Sequence, residues 1–357
     1  MGTIKVLIVE DSKLMQEIIA KTLSADPEIE VVGIADDPLI ARDLIKKLNP
    51  NVLTLDIMLP HMDGITFLKN IMRLHPMPVI MISNLTQKGS AIALEALSIG
   101  AVDYLPKPTK TKNDLEKFTS NLIKVVKIAA KANIVKNIVP LTPIDNQFRT
   151  LMSQSTLLKD EIIGIGASTG GIEAIETILL QLPQVFPPIV IVQHIKKEFS
   201  SSFAKRISKV YGLSAVEPME NTELKPGHIY IAPAETHLKI IRNSDFYVAV
   251  CDHSPPVKNH KPSIDVLFQS LAEIAGSHAI GVLLTGMGTD GAVGLKQIRD
   301  AGGITIAQDE KTSMVWGMPG AAVKLQAATY VVPLNQIHQK ILQVIDHKVF
   351  GEKELID

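Results

Sequence analysis

The sequence predicts an α/β protein built from two doubly wound domains, each with a parallel sheet, joined by a linker. Short runs rich in Val and Ile alternate with helical patterns over residues 1–122, as in a parallel sheet covered by helices. The pattern then weakens, and Val139–Asn146 has no periodicity and contains two prolines. A second alternation begins at Glu161. We therefore predict domains over residues 1–122 and 159–350, with a linker over residues 123–158.

The predicted strands are runs whose branched side chains suit a pleated, buried surface. In the first domain they are Lys5–Val9, Glu30–Ala35, Val52–Asp56, Val79–Ser83 and Ala101–Tyr104. In the second domain they are Ile162–Ile165, Ile189–Gln193, His228–Ile231, Phe246–Cys251, Ala279–Leu284, Ile304–Ala307 and Tyr330–Val332.

Composition narrows the function class and the location. The chain has 36 Lys and Arg against 37 Asp and Glu. This balance lacks the excess of positive charge that would predict a nucleic-acid partner. The single cysteine, Cys251, excludes an internal disulfide and fits a reducing cytoplasm. The apolar runs are too short to cross a bilayer, and a strand beginning at Ile4 leaves no room for a secretory signal. We expect a cytoplasmic protein with no membrane insertion.

Carboxylates gather at one edge of the first predicted sheet. Glu10 and Asp11 follow the first strand, and Asp56 ends the third. The carboxyl ends of parallel strands converge on one rim, where three carboxylates repel each other unless a hard cation joins them. Oxygen ligands of this kind suit Mg²⁺.

Two more polar side chains follow strands on the same rim. Ser83 closes the fourth strand and Lys107 follows the fifth. A carboxylate, Mg²⁺, an ammonium group and a hydroxyl around one point can receive a phosphoryl group. Each residue alone is typical of a solvated loop, but five of them at the ends of four strands favour function.

This half of the chain resembles a response-regulator receiver domain, whose fold is flavodoxin-like, over its whole length. The resemblance implies phosphorylation by a histidine kinase. It also implies the following roles: Asp56 as phosphoacceptor, Glu10, Asp11 and the Met58 carbonyl as further Mg²⁺ ligands, and Ser83, Tyr104 and Lys107 as the groups that respond to phosphorylation.

The second domain opens with a serine in a glycine-rich turn. Ser168 lies in Gly166–Gly170, a G-x-S-x-G sequence between an apolar run and a helical stretch that begins at Gly171. A strand, tight turn and helix can present a serine as a nucleophile, with free N–H groups near an oxyanion. The letters of Gly164–Gly170 also fit a loose dinucleotide fingerprint, so the motif alone does not decide between the two.

A histidine and an aspartate follow two other buried strands. His194 comes directly after Ile189–Gln193, and Asp290 lies in the turn Thr285–Gly291 after the strand ending at Leu284. Parallel strands bring all three side chains to one rim, where His194 can act as base and Asp290 can orient it. Each is ordinary alone, but together they favour catalysis. A dinucleotide site would need an acidic residue after the second strand, where this chain has His194.

The remaining motifs of this half resemble the chemotaxis protein-glutamate methylesterase family, CheB, whose catalytic domain is Rossmann-like. They are Gly164–Gly171, Gln193–His194, Ser201–Arg206, Tyr230–Pro233 with His237–Leu238, Lys261–Phe268, Thr285–Ala292, Ala307–Glu310 and Gly317–Pro319. The resemblance implies a carboxylic-ester hydrolase that removes methyl groups from receptor glutamates and deamidates receptor glutamines, and that needs no cofactor for hydrolysis. It implies Ser168 as nucleophile, His194 as base, Asp290 as orienting residue and Met287 in the oxyanion hole.

Two other classes of protein compete with this hypothesis. One is a receiver joined to a binding module, in which Ser168 holds an anion at a helix N-terminus without turnover. Such a cradle needs neither His194 nor Asp290. The other is a DNA-binding response regulator, which the balanced charge and the lack of a basic recognition helix disfavour.

Overall fold

The computed structural model describes residues 2–84, 87–109, 111–134 and 156–350. The chain divides into two compact units, Met1–Lys136 and Asn137–Asp357. The predicted linker lies largely outside the described residues, so its extent stays a prediction. None of the helices in the described parts is long and apolar enough to cross a membrane.

Within its described residues the first unit contains a five-stranded parallel sheet in the order β2-β1-β3-β4-β5. Its strands are β1 Ile4–Val9, β2 Ile29–Ala35, β3 Val52–Asp56, β4 Val79–Ser83 and β5 Asp103–Pro106. Its helices are α1 Lys13–Ser24, α2 Pro38–Leu48, α3 Gly64–Leu74, α4 Gln87–Ile99 and α5 Lys112–Ala129.

The fifth strand begins two residues later than predicted, and the boundary predicted at residue 122 falls inside α5. Every residue of β3 and β4 is buried, as expected of central strands covered on both faces. Aspartate side chains cap the two helices that follow β2 and β3. Asp37 accepts from the amide of Leu39, and Asp63 accepts from the amide of Thr66.

The second unit contains, in its described part, a seven-stranded parallel sheet in the order β15-β14-β13-β6-β7-β10-β8. The strands of this sheet are β6 Ile162–Ala167, β7 Ile189–Gln193, β8 Ser214–Val216, β10 His228–Ile231, β13 Ala279–Leu283, β14 Ile304–Gln308 and β15 Tyr330–Val332. The helices are α6 Gly171–Leu179, α7 Lys197–Tyr211, α8 Ile264–Ala275, α9 Ala292–Asp300, α10 Met318–Lys324 and α11 Leu334–Phe350, with 3₁₀ turns at Thr156–Lys159 and Gly276–His278.

A small antiparallel sheet accompanies the parallel one. Its order is β11-β12-β9, formed by His237–Asn243, Phe246–Asp252 and Thr222–Glu223. The strand predicted at Phe246–Cys251 is present as β12, but its placement in the parallel α/β alternation was wrong, because it pairs antiparallel with β11 across a hairpin. Strands β8, β9 and β11 were not predicted. Two of them have only two or three residues, and β11 carries polar and exposed positions over its second half.

The three strands that precede the candidate catalytic residues are neighbours at the centre of the sheet. Strand β6 pairs with β7 on one side and with β13 on the other, and all three are fully buried. The β6–β7 register places Ala167 opposite Gln193, so the next residues along both strands emerge at the same edge. Helix α8 packs closely against β6, because a Cβ on Gly166 would lie 2.3 Å from a methyl carbon of Ile264.

Candidate active site

Ser168 lies in a turn whose backbone is held on several sides. Its amide donates to the carbonyl of Thr285 at 3.0 Å, and its carbonyl accepts from Nε2 of Gln193 at 2.9 Å. Gly170 has φ of +76° at the start of α6, and a Cβ there would lie 2.8 Å from Cβ of Met314. Only glycine suits this position, because the left-handed backbone and the close side chain both exclude a larger residue. The predicted strand, turn and helix around Ser168 are therefore present.

His194 and Asp290 form a largely buried pair beside this turn. Nε2 of His194 lies 2.9 Å from Oδ2 of Asp290, and the two side chains are 11% and 1% exposed. Asp290 also accepts from Oγ of Ser263 at 2.8 Å and from the amides of Ile264 and Asp265 at 2.8 and 3.1 Å, at the first turn of α8. Its charge therefore faces the positive end of a helix.

The environment of Asp290 favours its ionised form. Burial by itself raises the pKa of a carboxyl group. The hydrogen bonds from His194, Ile264 and Asp265 outweigh burial and lower the pKa of Asp290 from 3.8 to about 2. Asp290 is therefore a carboxylate at neutral pH and can stabilise a positive charge on the His194 ring.

The second ring nitrogen of His194 is available for Ser168. Nδ1 of His194 is buried and has no hydrogen-bond partner among the described residues. No hydrogen bond joins Ser168 to His194 in that same part of the chain. The amide of His194 donates to the carbonyl of Ala167, directly before Ser168, at 3.0 Å. The fold thus brings Ser168 and the His194–Asp290 pair together at one edge of the sheet, without a hydrogen bond between Ser168 and His194 in the described residues.

Two backbone N–H groups without a partner in the described residues lie close to Ser168 along the chain or across the adjoining turn. The amides of Thr169 and Met287 donate no hydrogen bond to any described atom. The turn carrying Met287 is pressed against the serine, since a Cβ on Gly286 would lie 2.6 Å from Cβ of Ser168. Sequence reasoning named Met287 and free N–H groups of α6 but not Thr169. The residue after a nucleophile on a strand–helix turn is the signal that would have identified it.

The first unit carries the predicted acidic cluster at the carboxyl edge of its sheet. Single oxygen atoms of Glu10, Asp11 and Asp56 all lie within 4.8 Å of one another. Nζ of Lys107 lies 2.8 Å from Oε1 of Glu10 and 2.7 Å from Oδ2 of Asp56. The other oxygens, Oε2 of Glu10 and Oδ1 of Asp56, are buried with no partner among the described residues. Two unsatisfied carboxylate oxygens beside an exposed Asp11 fit a divalent cation.

Charge and burial perturb the groups in this cluster. Burial raises the pKa of Glu10, and the nearby Asp56 adds to this, against the lowering effect of Lys107. Burial disfavours the ammonium of Lys107, but its hydrogen bonds to Asp56 and Glu10 raise the pKa of that amine overall. One cation thus offsets only part of the negative charge of three carboxylates, which leaves the site favourable for a metal ion.

The predicted switch residues lie beside this cluster. The hydroxyl of Tyr104 donates to the carbonyls of Ser83 and Asn84 at 3.1 and 3.3 Å, and Tyr104 is 1% exposed. Burial, with a contribution from the charge of Asp56, raises the pKa of Tyr104 to about 12. The side chain of Met58 is exposed, and the predicted use of its carbonyl as a ligand stays a prediction.

Comparison with known proteins bears on both units. Residues 163–341 match the family described as CheB methylesterase, and residues 6–119 match the response regulator receiver domain. A protein-glutamate methylesterase/protein-glutamine glutaminase of Hydrogenovibrio crunogenus is 45% identical, with 97% of this chain and all of that protein covered. A second protein of the same description, from Saccharophagus degradans, is 47% identical, with 96% and 99% covered.

A solved structure agrees with these matches. The CheB methylesterase catalytic domain of Thermotoga maritima is similar with a TM-score of 0.50 and 37% identity, over 52% of this chain and 98% of that one. The expected fold class, two α/β domains with parallel sheets, is confirmed, with the small antiparallel sheet as an addition. The chain belongs to the CheB methylesterase family and carries an N-terminal response-regulator receiver domain.

Proposed function

We propose that this protein hydrolyses the methyl esters of glutamate side chains on chemotaxis receptors and deamidates glutamine side chains at such sites. The observation that carries the proposal is the His194–Asp290 pair beside Ser168, in which Nδ1 of His194 has no partner among the described residues. An anion cradle at the start of α6 would need neither member of this pair. The family and the relatives' descriptions name the same ester and amide chemistry.

The catalytic roles follow from the geometry. Ser168 is the nucleophile, and Nδ1 of His194 takes the hydroxyl proton as Oγ attacks the ester carbonyl. The oxyanion is held by the amides of Thr169 and Met287, which are otherwise unpaired in the described residues. Asp290 remains a carboxylate because its pKa lies near 2, and it stabilises the imidazolium.

The intermediate then collapses in the usual order for acyl transfer. His194 returns the proton to the leaving oxygen, so methanol departs and a glutamyl ester on Ser168 remains. His194 then takes a proton from a water molecule as this water attacks the glutamyl ester. It returns the proton to Oγ of Ser168, which leaves as a free hydroxyl group. With a glutamine substrate the leaving group is ammonia, and the product is again a glutamate carboxylate.

The first unit supplies phosphorylation control. Asp56 is the phosphoacceptor, and its Oδ1 is the carboxylate oxygen without a partner among the described residues. Glu10, Asp11 and Asp56 would hold Mg²⁺, which would offset the charge of the incoming phosphoryl group. Lys107 already contacts Oδ2 of Asp56 and would offset more of that charge. A histidine kinase is the phosphodonor, and the protein acts in the cytoplasm, where such kinases and the receptor tails are found.

The direct test is methanol release from a methylated receptor fragment. Ser168→Ala removes the nucleophile without adding bulk, so turnover should fall by a factor on the order of 10⁶ while the thermal unfolding midpoint stays near that of the parent. Ser120→Ala, an exposed serine on α5 of the other unit, is the control and should leave turnover unchanged. Methanol release by Ser168→Ala at the parental rate would contradict the proposal.

A further inference from the structure

The ring of His194 is stacked on a second histidine that the predicted triad does not include. The imidazoles of His194 and His260 have centroids 4.0 Å apart and planes only 3° from parallel. His260 is half-buried, in the segment between β12 and α8. Such a parallel, closely spaced pair covers one whole face of the ring that carries the proton in the reaction.

The hydrogen bonds of His194 do not by themselves fix its ring. Nε2 is held by Asp290, while Nδ1 has no partner among the described residues. A ring held at one nitrogen can still turn about that contact, because the outer torsion of histidine is broad. Such turning would swing Nδ1 away from Ser168. A flat group against the ring face opposes this motion, and His260 is in that position.

The backbone around His260 is built to hold it there. The amide of Val257 donates to the carbonyl of His260 at 3.0 Å, and the reverse bond measures 2.9 Å. Between them, Lys258 and Asn259 have φ of 49° and 68°. Two consecutive positive φ values with reciprocal hydrogen bonds make a tight turn of type I′, which positions the residue that follows with little freedom.

The same segment also fixes Asp290. Nζ of Lys258 lies 2.8 Å from Oδ2 of Asp265, which ties the turn to the first turn of α8. The residues at that helix start, Ser263 among them, donate to Asp290. Residues 257–265 thus contact both members of the His194–Asp290 pair. They donate hydrogen bonds to Asp290, and the ring of His260 stacks on the ring of His194.

We propose that His260 is a positioning residue that holds the plane of the His194 ring, so that Nδ1 stays directed at Ser168. The inference rests on the proposed function, because it assigns His194 the role of base. His260 acts through His194 and need not touch the substrate. Its contribution comes from its flat face, so an aromatic ring without nitrogen atoms should replace it.

The kinetic test compares two substitutions in the full chain. His260→Ala should lower kcat for methanol release by roughly 10- to 100-fold, the cost of a misplaced catalytic group, with KM nearly unchanged. His260→Phe should recover most of that loss. His253→Ala, an exposed histidine of the same segment, is the matched control and should behave as the parent. Parental turnover in His260→Ala would overturn the proposal. Equal loss in His260→Phe would also overturn it, because the nitrogen atoms would then be what matters.

A spectroscopic measurement keeps the proposal testable if His260→Ala is too unstable for kinetics. The Cε1 proton of His194, assigned by its loss in His194→Gln, should carry a ring-current shift from His260 in the Ser168→Ala protein. This shift should change in His260→Ala and persist, with altered size, in His260→Phe. An unchanged resonance in both variants would overturn the stacking even if the ester is hydrolysed. A normal shift, together with a parent protein that releases no methanol, would instead count against the proposed function alone.

Discussion

Nε2 of His194, not Nδ1, faces the carboxylate of Asp290 at 2.9 Å. In trypsin-like hydrolases the aspartate holds Nδ1 and the base is Nε2, so the His194 ring meets its aspartate through the opposite nitrogen. Under the proposed function Nδ1 is therefore the nitrogen that would serve Ser168, and it has no hydrogen-bond partner in the described part of the chain. The side-chain roles of such a triad can be kept while the imidazole is reversed.

The first prediction is that His194 and Asp290 act as one unit. His194→Gln removes the base, and Asp290→Asn removes the carboxylate that orients and stabilises it. Because both changes disable the same proton transfer, the double variant should be scarcely slower than His194→Gln alone. The measurement is kcat/KM for methanol release around a double-mutant cycle. Losses that add in free energy would show two independent contributions.

The second prediction concerns pH and the stability of the second unit. The pKa of Asp290 in the folded protein is about 2, below its ordinary value of 3.8. At any pH above 3.8 the charged carboxylate therefore adds about 2 kcal/mol to the free energy of unfolding. That contribution should decline as the pH falls through 3.8 towards 2. Urea unfolding of the parent and Asp290→Asn should therefore show a difference near neutral pH that shrinks in acid. A difference that grows on acidification would contradict the lowered pKa.

The third prediction tests the close approach of two turns. A Cβ on Gly286 would lie 2.6 Å from Cβ of Ser168 and 2.5 Å from Sδ of Met318. Gly286→Ala should therefore displace the nucleophile and lower kcat by roughly 100-fold. Gly212→Ala is the control, because Gly212 has φ of +68° with open space around it and lies outside the site. It should lower the unfolding midpoint while leaving kcat unchanged; equal kcat in the two variants would refute the displacement.

Much of the site could be predicted because it lies at the ends of buried strands. Ser168, His194 and Asp290 each follow a run of Ile and Val that is long enough to identify as a strand, and parallel pairing then brings their ends together. The acidic cluster of the first unit was predicted for the same reason, and its oxygens do lie within 4.8 Å of one another. Local patterns sufficed because the predicted strands are parallel and therefore end at the same edge of the sheet.

What could not be predicted depends on contacts between distant segments. Ser263 reaches Asp290 across 27 positions, and His260, in a segment with no strand or helix pattern, reaches His194 across 66 positions (260 − 194). The hairpin β11–β12 was misread because Phe246–Asp252 is as apolar as a parallel strand, and only its pairing partner distinguishes the two. Ring orientation at His194 was also beyond the sequence, since either nitrogen can meet a carboxylate.

The fourth prediction concerns Mg²⁺ and the pKa of Glu10. Burial and Asp56 raise this pKa, so without metal the protonated form stabilises the first unit, and this contribution is lost as pH rises through the folded pKa. Mg²⁺ needs the carboxylate, so its stabilising effect should grow as the pH rises above 4.5, the ordinary pKa of a glutamate side chain. Thermal unfolding with and without Mg²⁺ measures it. Glu10→Gln should weaken the Mg²⁺ effect and its pH dependence, while Glu30→Gln, an exposed glutamate of β2, should change neither.

The last prediction is that phosphorylation of the first unit controls the rate of ester hydrolysis in the second. A receiver on the same chain as a hydrolase implies that phosphorylation of Asp56 changes the rate at the second unit. We expect the unphosphorylated receiver to hold that rate low, so a fragment from residue 159 onward should release methanol faster than the untreated full chain. A small-molecule phosphodonor with Mg²⁺ should activate the parent. Asp56→Asn should stay at the basal rate under the same treatment, because it offers no carboxylate to accept the phosphoryl group.

The restraint by the unphosphorylated receiver would be disproved if the fragment were no faster than the full chain. Control through Asp56 would be disproved if phosphodonor activated Asp56→Asn as well as the parent.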